Sequence, residues 1–298
     1  MPSWYGIALL LALSACHAQR PEPTPQAAHR VEDFDGLVDI GAHSLYLHCV
    51  GEGAPVVIFD AGMGSDGRIW SRVLPDVGSF TRACAYDRLG LGRSTSAPRK
   101  HRLRAMVSEL ASLLQTAALG GQYVLVGHSL GGLGVRLYAS EHPNEVVGLV
   151  LVDATTEEQD SRFWSLLPEA QLREFQTNLQ KSPEGFDFDT FVEGMVDVRR
   201  SSRTLGDMAL VVLTAGKEEA SAPSELDTRL AQVWREMQAE LPRLSSNSAH
   251  VVTTKSGHYI HVEEPNLVVA AVREVVRASR AHERVDRARV SSDPPPKM

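Results

Sequence analysis

Cysteine is scarce in this chain, with three residues in 298 and none in a Cys-x-x-Cys pair. That scarcity excludes a disulfide-dense scaffold and a thiolate zinc site. The eleven histidines lack a ligand spacing, so no metal or other cofactor is expected. A basic excess is missing too: 30 Lys and Arg stand against 37 Asp and Glu, for a formal net charge of -7. A binder that neutralises nucleic-acid phosphates would carry the opposite balance, so no nucleic-acid partner is expected. The apolar run near the amino terminus, Ile7 to Leu13, is too short to span a bilayer. No repeat is visible, which sets aside solenoids and propellers. What remains is ordinary for a soluble globular enzyme: 43% apolar and 22% charged residues. The length suits one large α/β domain or two small ones.

The short apolar run is followed by Leu13-Ser14-Ala15-Cys16. Small residues before a cysteine resemble the bacterial lipoprotein signal, although no Lys or Arg precedes the run. Residues 1–15 are therefore expected to be removed. Cys16 would carry lipid and hold the domain at the periplasmic face of a bacterial membrane. The alternative is a plain secretory signal and a soluble periplasmic or secreted protein. Residues 16–35, with Pro21, Pro23 and Pro25, read as an extended spacer. Residues 280–298 end in Asp293-Pro294-Pro295-Pro296, show no apolar periodicity and read as a disordered tail.

Between these ends, β-branched runs alternate with helical patterns. Ser44–Cys49, Pro55–Phe59, Arg82–Tyr86, Tyr123–Val126, Val147–Val152, Ala209–Leu213 and Ala249–Thr254 read as strands. Leu103, Met106, Val107, Leu110, Leu113 and Leu114 recur at helical spacing, as do Leu267, Val268, Ala271, Val272, Val275 and Val276. This alternation predicts an α/β fold, a mostly parallel central sheet flanked by helices. The core spans residues 36–153 and 208–279. Residues 154–207 show no strand pattern but scattered aromatics, and a structureless loop of that length is improbable. They read as a helical cap laid over the carboxyl ends of the strands, where ligands bind in open α/β sheets.

Gly127-His128-Ser129-Leu130-Gly131 lies between a buried strand and a helix, matching G-x-S-x-G in the strand-turn-helix setting it requires. Small residues on either side let the serine take a strained turn that exposes its Oγ. With this motif the chain resembles the α/β-hydrolase superfamily over residues 36 to 279. Three further segments carry the resemblance. Phe59-Asp60-Ala61-Gly62-Met63-Gly64 stands where the family has its HG-x oxyanion loop, with Asp60-Ala61 in place of the usual apolar-His pair. Asp87-Arg88-Leu89-Gly90-Leu91-Gly92-Arg93-Ser94 looks like its D-x-x-G-x-G-x-S segment, in which Asp87 would brace the loops. Ser256-Gly257-His258 follows the last strand, where the family places its histidine.

The resemblance implies Ser129 as nucleophile, His258 as general base, and an oxyanion hole made by the backbone N–H groups of Met63 and Leu130. His261 is the nearest rival base. Two carboxylates compete to orient the imidazole. Glu219 lies after the penultimate strand, the commoner place in the superfamily; Asp153 ends the preceding strand, as in some relatives, and a buried carboxylate there needs a partner. Family topology sets the strands holding Cys49 and Cys84 side by side, which makes a disulfide between them an expectation; two buried thiols are the alternative. The implied activity is that of a serine hydrolase acting on a small-molecule carboxylic ester. Amide, lactone or carbon–carbon cleavage are alternatives, as is a non-catalytic binding module on the same fold. Replacing Cys16 with Ser is expected to release the protein from the membrane fraction without altering its turnover. Wild-type protein already soluble in the periplasm would instead mark the signal as an ordinary secretory one.

Overall fold

Near-continuous apolar runs make the middle of the sheet, because a strand covered on both faces has no side left for polar residues. The computed structural model describes residues 33–201, 204–217 and 224–291. The export-signal segment, Cys16 and Glu219 lie outside these described residues. Eight strands form one sheet: β1 (Phe34–Asp39), β2 (Ser44–Val50), β3 (Val56–Asp60), β4 (Ala83–Tyr86), β5 (Tyr123–His128), β6 (Val146–Val152), β7 (Ala209–Ala215) and β8 (Ser248–Thr253). Their order is β1-β2-β4-β3-β5-β6-β7-β8. The pairings β1–β2 and β2–β4 are antiparallel, and the other neighbours are parallel.

Alternate residues of each central strand feed opposite faces, as the pleat dictates. Ile58, Leu125, Leu149 and Leu151 face α2 (Leu103–Thr116) and α3 (Leu130–Glu141). Val57, Val126, Val150 and Val211 face the other way, toward α1 (Leu74–Gly78) and α8 (Pro265–Ala281), the latter with Val268, Val272 and Val275 on its buried stripe.

The segment after β6 contains short π and 3-10 turns over Gln159–Phe163 and Trp164–Leu166, then α4 (Glu169–Gln180) and α5 (Phe188–Ser201). Trp164 anchors it among Phe175, Phe188 and Phe191, with ring centroids 4.9 to 5.8 Å away. After β7 comes α6 (Glu225–Glu240), and after β8 the short α7 (Ile260–Glu263).

The structure moves two boundaries. The extended segment expected to reach residue 35 has already become β1 at Phe34, paired through Phe34 with Cys49. At the other end α8 runs to Ala281, and residues 282–291 are held rather than loose. The Val285 N–H donates to Asn247 Oδ1 at 2.7 Å, the Asp286 N–H donates to Glu274 Oε1 at 2.7 Å, and Val290 is buried. These contacts join residues far apart in the chain, so no local periodicity announces them.

Cys49 on β2 faces Cys84 on β4 in the antiparallel register, and the two are disulfide-bonded across a sequence separation of 35. Closing a loop of that size restricts the unfolded chain, and the double variant Cys49→Ala/Cys84→Ala is expected to lose about 3–4 kcal/mol of stability. Urea unfolding of oxidised wild type beside the variant measures this, and coincident midpoints would refute it.

Candidate active site

β5 ends at His128 and α3 begins at Leu130, so Ser129 alone makes the turn between them. Its backbone sits at φ 49°, ψ -119°, a conformation that costs a non-glycine residue about 1–3 kcal/mol. Close packing enforces it. A Cβ on Gly127 would lie 2.6 Å from the Gly131 carbonyl oxygen, and one on Gly131 would lie 2.5 Å from that of Asp60. The Ser129 carbonyl accepts the N–H groups of Gly132 and Thr155, both at 2.9 Å, which ties the turn to the strand-end loop of β6.

Asp153 follows β6, with its own N–H donated to Leu213 on β7 at 2.8 Å. Its carboxylate is buried, with 2% of the side chain exposed. Oδ2 lies 2.7 Å from His258 Nδ1, while Oδ1 accepts the Ala215 N–H at 3.0 Å and the Trp234 Nε1–H at 3.1 Å. With Nδ1 engaged by a carboxylate, the neutral His258 ring carries its lone pair on Nε2, the tautomer a general base needs. The structure thus places Asp153 behind His258.

His261, the rival base, is fully buried between Trp70 and His128, at ring-centroid distances of 4.6 and 4.4 Å. Neither of its ring nitrogens has a hydrogen-bond partner among the described residues. Burial, then the nearby His258, push its pKa down to about 4. His128 is also buried; its Nε2 donates to the His258 carbonyl oxygen at 3.0 Å. Burial, then His261 and His258, hold its pKa well below the usual range. Both rings are structural props beneath His258.

Ser129, Asp153 and His258 open into one cavity of about 780 Å³. Its roof is shared. The cap contributes Thr155, Gln159 and Phe163, and α6, which lies outside the expected cap, contributes Leu230, Ala231 and Trp234.

The Leu130 N–H is the first amide of α3, where the helix dipole adds a partial positive charge. Met63 sits in the loop after β3, beside Gly62, whose Cα lies so close to Ser129 that an added Cβ would stand 3.3 Å from the serine Cβ. Buried Arg88 underlies this loop. Its Nη1 donates to Asp60 Oδ1 and, at 2.6 Å, to the Ala61 carbonyl; its Nη2 donates to the Gly62 carbonyl at 2.8 Å; its Nε donates to Glu184 Oε1 at 2.8 Å. Burial pushes the Asp60 carboxyl up, against the pull of Arg88. Burial alone would lower the Arg88 pKa, but Glu184 and Asp60 outweigh it and keep the guanidinium charged. Asp87 braces as expected from its segment: its carboxylate accepts the N–H groups of Gly67 and Arg93, both at 2.8 Å.

Sequence reasoning passed over Arg88, Glu184 and Trp234. The helix bearing Trp234 did carry a signal. Leu226, Leu230, Val233 and Met237 repeat at helical spacing behind a Ser224/Asp227 capping box.

Residues 55–195 match the model of a family described as having the alpha/beta hydrolase fold. An uncharacterized protein of Bacillus subtilis (strain 168), YqjL, is 26% identical over 228 residues, 76% of this chain and 86% of its own length. Some other relatives are matched over less than half of their own length. Among solved structures, a thermophilic esterase from Thermogutta terrifontis superposes with a TM-score of 0.57 at 20% identity, over 83% of this chain and 99% of its own. The enol-lactonase from Burkholderia xenovorans LB400 gives 0.57 at 16% identity, over 81% and 100%. At these identities the two superpositions show the fold.

The buried imidazoles have a consequence for acid stability. A histidine whose folded pKa is depressed binds fewer protons than its unfolded counterpart, so its contribution is intact above the unfolded value, about 6.5, and is lost as pH falls toward the folded one. For His261 that window runs from about 6.5 down to about 4. Unfolding free energy is expected to fall between pH 7 and pH 4.5, with about 2–3 kcal/mol of the loss from His261. Chemical denaturation of His261→Phe at both pH values should show a loss smaller by that amount, and an equal loss in variant and wild type would disprove the assignment.

Proposed function

We propose that this chain, which belongs to the α/β-hydrolase superfamily, is a serine hydrolase that cleaves a carboxylic ester through an acyl-enzyme on Ser129. The observation that carries the reading is the bond between buried Asp153 and the half-buried His258, both of which line, with Ser129, a single cavity. His258 Nε2 takes the proton of Ser129 Oγ as the oxygen attacks the ester carbonyl, and Asp153 stabilises the imidazolium that forms. The tetrahedral oxyanion falls to the backbone N–H groups of Met63 and Leu130. Collapse expels the alcohol, which receives the proton back from His258. A water activated by the same nitrogen then attacks the acyl-enzyme and releases the acid.

The cavity suits a substrate with an apolar acyl or alcohol part. Phe163, Leu230, Ala231 and Trp234 supply apolar surface, while Thr155 and Gln159 add hydrogen-bonding groups. A solved esterase of the same fold is consistent with this bond preference. For location we propose the periplasmic face of a bacterial membrane, with lipid on Cys16. Among the described residues no helix is long and apolar enough to cross a membrane.

A panel of chromogenic esters of graded acyl length, with a matched amide and lactone, tests the bond cleaved. Ester turnover should exceed the others, and both it and fluorophosphonate labelling should vanish in Ser129→Ala. Folded wild-type protein that forms no adduct on Ser129 would favour a binding module. Asp153→Asn is expected to retain the fold and lose about 10⁴ in turnover, because the ring would then be held in the wrong tautomer. Near-wild-type rates in that variant would transfer the orienting role to another carboxylate, Glu219 first.

A further inference from the structure

Arg88 touches neither the cavity nor the proposed triad, yet it holds the loop that carries Met63 by that loop's own carbonyls. A trans peptide unit is planar, and its C=O and N–H point in opposite directions. The Ala61 and Gly62 carbonyls both point at Arg88, at 2.6 and 2.8 Å. The N–H groups of the same two peptide units, those of Gly62 and Met63, are therefore turned away from the guanidinium. The loop also abuts Ser129: a Cβ added to Gly62 would stand 2.7 Å from His128 Nδ1 and 3.3 Å from the Ser129 Cβ.

The cap completes the arrangement. Glu184, fully buried in the connection between α4 and α5, accepts the Arg88 Nε–H through Oε1 and the Gly64 N–H through Oε2, at 2.8 and 2.6 Å. One carboxylate thus grips the guanidinium and the far end of the loop together. The connection packs closely on its neighbours, since a Cβ on Gly90 would stand 1.9 Å from the Pro183 carbonyl oxygen, and one on Gly185 2.0 Å from that of Pro98. Asp60, at the end of β3, holds Arg88 from the strand side.

We propose that Arg88 is a positioning residue for the oxyanion hole, fixing the peptide planes of residues 61–63 so that the Met63 N–H faces the developing charge, with Glu184 of the cap locking the guanidinium in that pose. This rests on the serine-hydrolase reading. A planar guanidinium can serve two carboxylates and two carbonyls at once. A lysine ammonium has three donors on one atom and cannot span the same acceptors. Pairing explains why the network tolerates burial, because a lone buried cation would be costly while this one has two carboxyl groups and two carbonyls as acceptors.

The test compares Arg88→Lys and Glu184→Gln with wild type on an ester and on its thionoester, in which sulfur replaces the carbonyl oxygen. Sulfur is larger and a weaker acceptor, so an aligned oxyanion hole favours the oxygen substrate and a misaligned one loses that preference. For Arg88→Lys, kcat on the ester should fall about 10²–10³-fold with KM held within about threefold, and the oxygen-to-sulfur preference should shrink in parallel. Glu184→Gln keeps an oxygen for Gly64 but lacks the charge, and a loss of about tenfold with the same shrinkage is expected. If Arg88→Lys does not fold, Glu184→Gln and Glu184→Ala carry the same comparison. A folded Arg88→Lys with wild-type kcat, or losses in either position that leave the oxygen-to-sulfur preference unchanged, would overturn the proposal. Fluorophosphonate labelling of wild-type Ser129, measured first, separates the failures. No adduct sinks the serine-hydrolase reading itself, whereas an adduct with an unchanged preference in the variants sinks only the role of Arg88.

Discussion

A carboxylate cannot be taken out of water without partners, and the site is organised around that requirement at Asp153. Three donors from different parts of the chain meet there: His258 Nδ1, the Ala215 N–H and the Trp234 indole. Each also fixes something else. Ala215 ends β7, so the bond pins the edge of that strand to β6; Trp234 locates α6 over the cavity; His258 is held in one ring orientation. Removing the carboxylate altogether would leave the strand edge, the roof and the histidine without their shared partner, whereas an amide in its place keeps an oxygen for Ala215 and Trp234.

A parallel sheet makes such a meeting possible. Register aligns the carboxyl ends of neighbouring strands: Asp60 stands beside Gly127, His128 beside Val152, and Val152 beside Leu213. The residues just past those ends therefore share one rim although they are scattered along the sequence. Apolar packing on both faces makes the rim rigid enough to hold Ser129 in a strained turn. Behind it, the clustered, mutually tilted rings of His128, His258 and His261 show how burial distinguishes chemically equal side chains. Two are desolvated and held neutral; of the three, His258 alone has a carboxylate at its Nδ1.

Local signals made much of this legible. The β-branched runs announced the central strands, and strand-turn-helix context singled out Ser129 among the serines. A glycine at the mouth of the last strand singled out His258 among eleven histidines. Asp153 could be weighed against Glu219 because a carboxylate directly after an apolar strand is hard to leave unpaired. These inferences work because propensity, burial pattern and tight-turn chemistry act over a few residues, and such constraints are written where they act.

What only the tertiary structure decided concerns partners distant in sequence. Asp153 and His258 are 105 residues apart, Arg88 and Glu184 are 96, and Gly64 and Glu184 are 120. Nothing local to Glu184 distinguishes it from the exposed glutamates of the cap, and nothing local to Arg88 reveals that its donors are aimed at Ala61 and Gly62. The ordered path of residues 282–291 depends in the same way on Asn247 and Glu274. The chain by itself determined the layered α/β architecture and the tight strand-to-helix turn at Ser129, because periodicity and turn sterics are local. Which charges pair, which imidazoles lose their water and which carbonyls Arg88 holds were decided by packing, because hydrogen bonds and desolvation depend on neighbours that only folding brings together.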